Sequence, residues 1–197
     1  MSRDHAETVH RNFLSRVASG DLPSPNHEFT LARSGLSRDA LVTLLDAQLM
    51  SRHLDRAALA LQKRGEGFYT IGSSGHEGNA AIAWALRSTD MAFLHYRDAA
   101  FQIARAFQVP GTTPLWDMLL SFSTSTEDPI SGGRHKVLGS RSLFIPPQTS
   151  TIASHLPKAV GAAYSIPLSK RIDAEHRLLE KDGIVVCTFG DASLNHS

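Results

Sequence analysis

The sequence predicts an α/β domain, a largely parallel sheet flanked by helices, preceded by an N-terminal helical arm. Three observations carry this. Two short apolar runs, MAFLHY (91–96) and IVVCTF (184–189), have strand length and composition, and stretches with helical spacing lie between them. Both runs end in turns rich in polar groups, HYRD and GDAS, as buried parallel strands do where they deliver a loop. Apolar residues make up 42 % of the 197, enough for a sizeable core.

Residues 1–36 read as the arm, with one short helix at the start and Pro23 and Pro25 in a polar stretch without a sustained period. Residues 37–197 form the domain. Ser37 can cap a helix whose first turn holds Asp39 and whose Leu41, Leu44, Leu45 and Leu49 share one face. The pattern runs through Leu54, Ala58 and Leu61 to Gly65, giving one long helix or two in tandem. GFYTIGSSGHEG (67–78) is a glycine-rich loop, and NAAIAWAL after it suits a tightly packed helix. RDAAFQIARAF follows the first strand as helix, and Thr113-Pro114 opens another, cap then first-turn proline, for LWDMLLSF. TSTEDPISGGRHKVLGS is a long polar loop, and a small-residue helix starts near Pro157. RIDAEHRLLEKDG is a charged surface stretch leading into the last strand. No internal repeat is visible.

Composition excludes several function classes. A net charge of +1 gives no pull toward nucleic acid or an anionic membrane. No run approaches the ~18 apolar residues of a membrane span, and MSRDHAETVHRN lacks the apolar centre of a signal peptide. The single cysteine, Cys187, lies inside an apolar strand, which rules out a disulfide framework and points to packing in a reducing cytoplasm. The ten histidines show no transition-metal spacing, and no GxSxG motif supports a serine hydrolase.

The chemistry-bearing loops are His76-Glu77-Gly78, HYRD, Ser150 to Pro157, and Gly190 to Ser193. An arginine beside a tyrosine hydroxyl suits a phosphate oxygen, because the guanidinium offers two directed, charged donors. A Gly-Asp-Ala-Ser turn leaves backbone N–H groups open to phosphate and supplies one carboxylate to a hard cation such as Mg²⁺. Together they suggest a magnesium–diphosphate site. Blander readings stay open on the residues alone: Arg97–Asp98 as a structural ion pair, Asp191 as a helix cap, His76 and His95 as hydrogen-bonded scaffold.

The ordered set RHLDRAALALQKRGEGFYTIGSSGHEGNAAIAWAL, HYRDAA, SGGR, TSTIASHLPKAVGAAYS and VVCTFGDAS resembles one family over residues 37–197. That family is the alpha subunit, or alpha half, of the thiamine-diphosphate-dependent decarboxylating component of 2-oxo acid dehydrogenase complexes, in its branched-chain form. The resemblance implies a thiamine-diphosphate-binding fold and an enzyme that decarboxylates a 2-oxo acid and transfers the acyl group to a lipoyl carrier. It implies the cofactors thiamine diphosphate and Mg²⁺. Tyr96 and Arg97 would hold the diphosphate with His95 beside them, Ser150 and Ile152 would cradle the aminopyrimidine, and Gly190, Asp191, Ala192 and Ser193 match the Gly-Asp-Gly motif, Asp191 as Mg²⁺ ligand.

Partners implied are a beta-type subunit or fused beta half and a lipoyl-bearing acyltransferase, in a homo- or hetero-oligomer. Rival readings are another thiamine-diphosphate enzyme, acetoin- or transketolase-like, and a catalytically inactive assembly module. The chain departs from the family at Ala192, where a second glycine is usual, and in GGRHKVLGS, where Leu138 or a gap stands at the loop histidine of many relatives and the nearby His135 does not take its role. His155 stands for a glutamine at a monovalent-cation position shared with Ser150 and Ser154. The resemblance implies an asparagine well beyond the Gly190-Asp191 pair and a further downstream histidine, neither in this sequence, so the expectation is a truncated or proteolysed piece of a longer polypeptide, inactive alone, with a natural short paralogue as the alternative.

Overall fold

The computed structural model describes residues 5–24, 28–172 and 178–195, in two compact units, 1–40 and 41–197. In the first unit, α1 (His5–Ser19) is longer than the short helix expected. Glu7 and Arg16 sit at the ends that the helix dipole favours for their charges. Val9, Phe13, Leu14 and Val17 on this helix are exposed. The four-residue α2 (Leu31–Ser34) starts where Thr30 Oγ1 accepts from Arg33 N and ends at Gly35, whose φ of 68° lies in the left-handed region. Pro25, expected in the polar stretch of the arm, lies outside the described residues.

α3 (Arg38–Lys63) is one continuous helix, which resolves the choice between one and two. Ser37 Oγ accepts from Ala40 N at 3.1 Å, as its capping role requires. The buried stripe is Leu44, Ala47, Ser51, Leu54 and Ala58, alternating steps of three and four. Leu41 and Leu45, expected on that face, are exposed. Leucines occupy too wide an arc for all to point inward, and small Ala47 and Ser51 permit the closer approach.

Helices α4 (Asn79–Ala85), α5 (Ala99–Ala106), α6 (Pro114–Phe122) and α7 (Leu156–Arg171) stand where the sequence predicts them. One local detail differs: Thr113 makes no side-chain cap, its Oγ1 donating instead to the Asp117 carboxylate at 3.0 Å. α5 is buried along its whole length and forms the middle of the domain. Its Arg105 is fully buried, and one nitrogen, Nη1, donates to both Asp90 O and Leu143 O, tying the helix to the residue before β1 and to the segment beside it.

The strands are shorter than predicted. β1 (Met91–Phe93) and β4 (Val185–Cys187) pair in parallel, with Met91 opposite Val185 and Phe93 opposite Cys187. β2 (Leu138–Ser140) and β3 (Ile145–Gln148) make an antiparallel hairpin that the sequence reading missed, taking 138–140 for the end of a loop. Gly139 and the Pro146-Pro147 pair are poor strand formers, so only tertiary packing reveals the pairing. A Cβ at Gly139 would stand 2.9 Å from Pro147 Cα, so the hairpin needs the glycine. Ala92 N bonds Phe144 O at 3.2 Å and joins the hairpin to β1. Met91, Phe93 and Ala159 pack with Val185 and Cys187, burying one face of β1 and β4 under α7. Among the described residues, no helix is long and apolar enough to cross a membrane.

Candidate functional site

Parallel pairing of β1 and β4 makes the loops that follow them emerge at the same end. There a cavity of about 530 Å³ opens, lined by residues 74–76, 95–97, Ile152 and 189–193. Eight of the nine residues singled out from the sequence line it: His95, Tyr96, Arg97, Ile152, Gly190, Asp191, Ala192 and Ser193. Ser150 does not. Its Oγ is buried beside the Tyr69 hydroxyl, with which it interacts. Asp191 opens a short 3₁₀ turn (Asp191–Asn195) with its side chain exposed, and Gly190 O accepts from Ser193 N.

Asp98, with no exposed surface, ties the cavity's walls together. Its carboxylate accepts from His76 Nδ1 (2.8 Å), Asn79 Nδ2 (2.7 Å), His95 N (2.9 Å) and Thr188 Oγ1. Those donors come from the glycine-rich loop, the start of α4, the end of β1 and the end of β4. Asp98 is therefore not the ion-pair partner of its neighbour. Arg97 donates to Gly72 O at 2.6 Å and lies 5.4 Å from the Tyr96 ring centroid. His76, read as scaffold, does make a scaffold hydrogen bond and also lines the cavity.

The rings form a stack. His76 and His95 lie 4.5 Å apart at 15°, and His95 and Tyr96 lie 3.9 Å apart at 35°. Burial, reinforced by His76 and Arg97 against the pull of Asp98, holds the His95 imidazole down at about 4, so it is neutral near pH 7. A neutral ring here leaves Arg97 as the principal cation of the cavity wall.

A second network fixes the glycine-rich loop on α3. Asp55 accepts from Ser73 N and Ser73 Oγ (2.8 Å for the latter), while Arg52 Nη1 reaches both Asp55 (2.8 Å) and Ser74 Oγ (2.7 Å). Burial raises the Asp55 pKa, with the Ser73 bonds and Arg52 opposing. Glu77 Oε2 accepts from Gly75 N. The result is a loop whose backbone carbonyl at Gly72 is held still for Arg97.

Near the expected monovalent-cation position, His155 Nε2 meets Thr188 O at 2.7 Å. A protein hydrogen bond thus ties the start of α7 to the end of β4. Sequence reasoning also passed over Lys136, which is buried and donates to Tyr96 O at 2.8 Å. Asp98 and Lys136 were both visible in HYRD and GGRHKV, but their partners are distant in the chain.

The donor set fits a diphosphate. Arg97, the Tyr96 hydroxyl, Ser74 and the N–H groups of a 3₁₀ turn are what phosphate oxygens bind, and the volume suits a small-molecule ligand. For Mg²⁺ the wall offers one carboxylate, Asp191, and no group of three metal-ligating side chains occurs among the described residues.

A family model, "Dehydrogenase E1 component", matches residues 45–197. The chain is similar to the 2-oxoisovalerate dehydrogenase alpha subunit, mitochondrial, of Mus musculus, 26% identical over 160 residues that cover 80% of this chain and 33% of that protein. The same subunit of Homo sapiens is 25% identical over 161 residues, 80% of this chain and 32% of the relative, and that of Bos taurus matches equally. The chain spans about a third of the length of these relatives. On the strength of the family match across most of its length, this chain belongs to the dehydrogenase E1 component family of thiamine-diphosphate-dependent 2-oxo acid dehydrogenases.

Proposed function

We propose that these residues form the diphosphate-anchoring part of an enzyme that decarboxylates a 2-oxo acid, of branched-chain type, and transfers the acyl group to a lipoyl carrier. One observation carries the reading: Tyr96, Arg97 and 190–193, far apart in sequence, line one cavity. Thiamine diphosphate, when bound, supplies the electron sink for loss of CO₂. The chain's own residues bind and orient it. Arg97 and Tyr96 would hold phosphate oxygens, the N–H groups at the start of the 190–193 turn would hold others, and Asp191 would be the carboxylate ligand of Mg²⁺. Ile152 offers an apolar wall to the cofactor's aromatic part; Ser150, off the cavity wall, takes no part in this reading.

A beta-type subunit or fused beta half and a lipoyl-bearing acyltransferase are the partners of this reading, in an oligomer. The free Cys187 suits a reducing compartment, for which we propose the cytoplasm. The names of the relatives, 2-oxoisovalerate dehydrogenase, support a branched-chain substrate.

The test is calorimetric titration of thiamine diphosphate with Mg²⁺ into the full-length protein carrying these residues, purified with its beta-type partner. Arg97→Ala removes a charge-assisted contact and is expected to weaken binding by about tenfold or more. Asp191→Asn is expected to abolish the strengthening of binding by Mg²⁺ while leaving Mg²⁺-free binding unchanged. Unaltered affinity in Arg97→Ala removes the diphosphate from this cavity. Cofactor binding with turnover of acetoin or a sugar phosphate, and none of 2-oxo acids, transfers the chain to another thiamine-diphosphate reaction. Assembly without any cofactor binding makes it an inactive module.

A further inference from the structure

The polar segment 131–137, SGGRHKV, has no role in the cavity wall, yet it sends a lysine into the domain. Lys136 is 7% exposed. Its ammonium lies 4.3 Å from the Tyr69 ring centroid and 5.9 Å from that of Phe122, two rings stacked on each other at 5.9 Å. Beside those rings Nζ donates to Tyr96 O at 2.8 Å. The peptide that accepts this bond is the one joining Tyr96 to Arg97.

We propose that Lys136 is a positioning residue for Arg97: it clamps the Tyr96–Arg97 peptide from beneath so that the guanidinium is held ready for the cofactor's diphosphate. This inference rests on the reading of the cavity given above. Arg97 has two anchors of its own, Gly72 O on the guanidinium and the Tyr96 face beside it. Both fix the head of a long, flexible side chain. The peptide it grows from is held on its N–H side by a long bond to His95 Nδ1 at 3.4 Å and on its carbonyl side by the shorter Lys136 bond.

Placing a lysine there is costly, which argues that it is retained for more than packing. Burial pulls its pKa down to about 7, with Asp55 and Asp98 favouring the charge and Arg97 opposing it. A methionine would pack against the same two stacked rings without the desolvation penalty. A clamp on Arg97 explains a hydrogen-bond donor at this position; packing against Tyr69 and Phe122 does not.

The experiment is a double-mutant cycle on thiamine diphosphate affinity in the full-length protein with its partner, using Lys136→Met, Arg97→Ala and the pair, with melting temperatures recorded alongside. Lys136→Met is expected to weaken binding about tenfold in the Arg97 background. It should cost nothing further once Arg97 is alanine, and any change in melting temperature should be equal in both backgrounds. Affinity within twofold of the parent overturns the proposal, as does a loss that adds to that of Arg97→Ala. If Arg97→Ala itself is silent, the cavity reading fails and takes the clamp with it, an outcome distinct from silence of Lys136→Met alone. A crystal structure of the unaltered protein with the cofactor gives a check that needs no variant. Lys136 Nζ out of hydrogen-bonding reach of Tyr96 O, with Arg97 on the diphosphate, overturns the proposal even if Lys136→Met does not fold.

Discussion

Replacing Asp98 by alanine should loosen the walls of the cavity together. The carboxylate accepts four hydrogen bonds from donors on both sides of the sheet end, and none of its surface is exposed. Alanine leaves the Thr188 hydroxyl, itself 8% exposed, without its acceptor. An orphaned buried donor costs about 1–3 kcal/mol. His95 N keeps a second acceptor in Thr188 Oγ1 at 2.8 Å, so it is only partly deprived. His76 and Asn79 are half-buried and can recover water, which limits their loss to about 0.5–1.5 kcal/mol each. The expected destabilisation is about 2–6 kcal/mol, with Asp98→Asn near half of that because one acceptor oxygen survives. Urea unfolding followed by both tryptophan fluorescence and far-UV circular dichroism measures it. A loss below about 1 kcal/mol for the alanine variant would refute the claim that this carboxylate organises the site.

The remaining predictions concern single residues. His95 is held down at about 4 in the folded protein against 6.5 when unfolded. Between those values the unfolded chain binds the extra proton, so stability rises with pH across that window and is lost as pH falls through it. His95→Gln should flatten that slope by at most about 1.4 kcal/mol per pH unit, and denaturation curves of parent and variant that stay parallel from pH 4 to 6.5 would contradict the buried neutral ring. Gly133 has φ +75° and a Cβ there would stand 2.3 Å from Thr124 O, whereas Gly111, at φ +81°, has nothing within 4 Å. Gly111→Ala should therefore cost only the left-handed penalty of about 1–2 kcal/mol, while Gly133→Ala displaces the segment carrying Lys136 and costs more. Equal melting temperatures for the two variants would show that the 131–137 segment is not tightly fixed.

Helices were legible because their signals are local. Ser37, Gly65, Pro114 and Pro157 mark element ends by preferences that act within a turn or two, and the structure ends its helices close to those marks. Strand pairing was legible only in part. Apolar runs announced β1 and β4, but nothing local in Leu138-Gly139-Ser140 or Ile145-Pro146-Pro147-Gln148 announces a hairpin, since its stabilisation comes from the partner strand. Similarly, Leu41 and Leu45 carry the same local signal as Leu44, and which of them is buried depends on what packs against α3.

The sequence by itself determined the helices, the two core strands, the family, and the types of residue available to meet a diphosphate, because each of these is written in a few neighbouring positions. Only the tertiary structure decided who holds whom. Asp98 stands next to Arg97 in the chain yet serves His76, Asn79 and Thr188, while Arg97 turns to Gly72 and Lys136 reaches Tyr96 from the far loop. A buried carboxylate or ammonium is satisfied by whichever donors or acceptors folding brings within about 3 Å, and those partners come from segments distant in the chain: the glycine-rich loop, the start of α4, the end of β4 and the 131–137 segment.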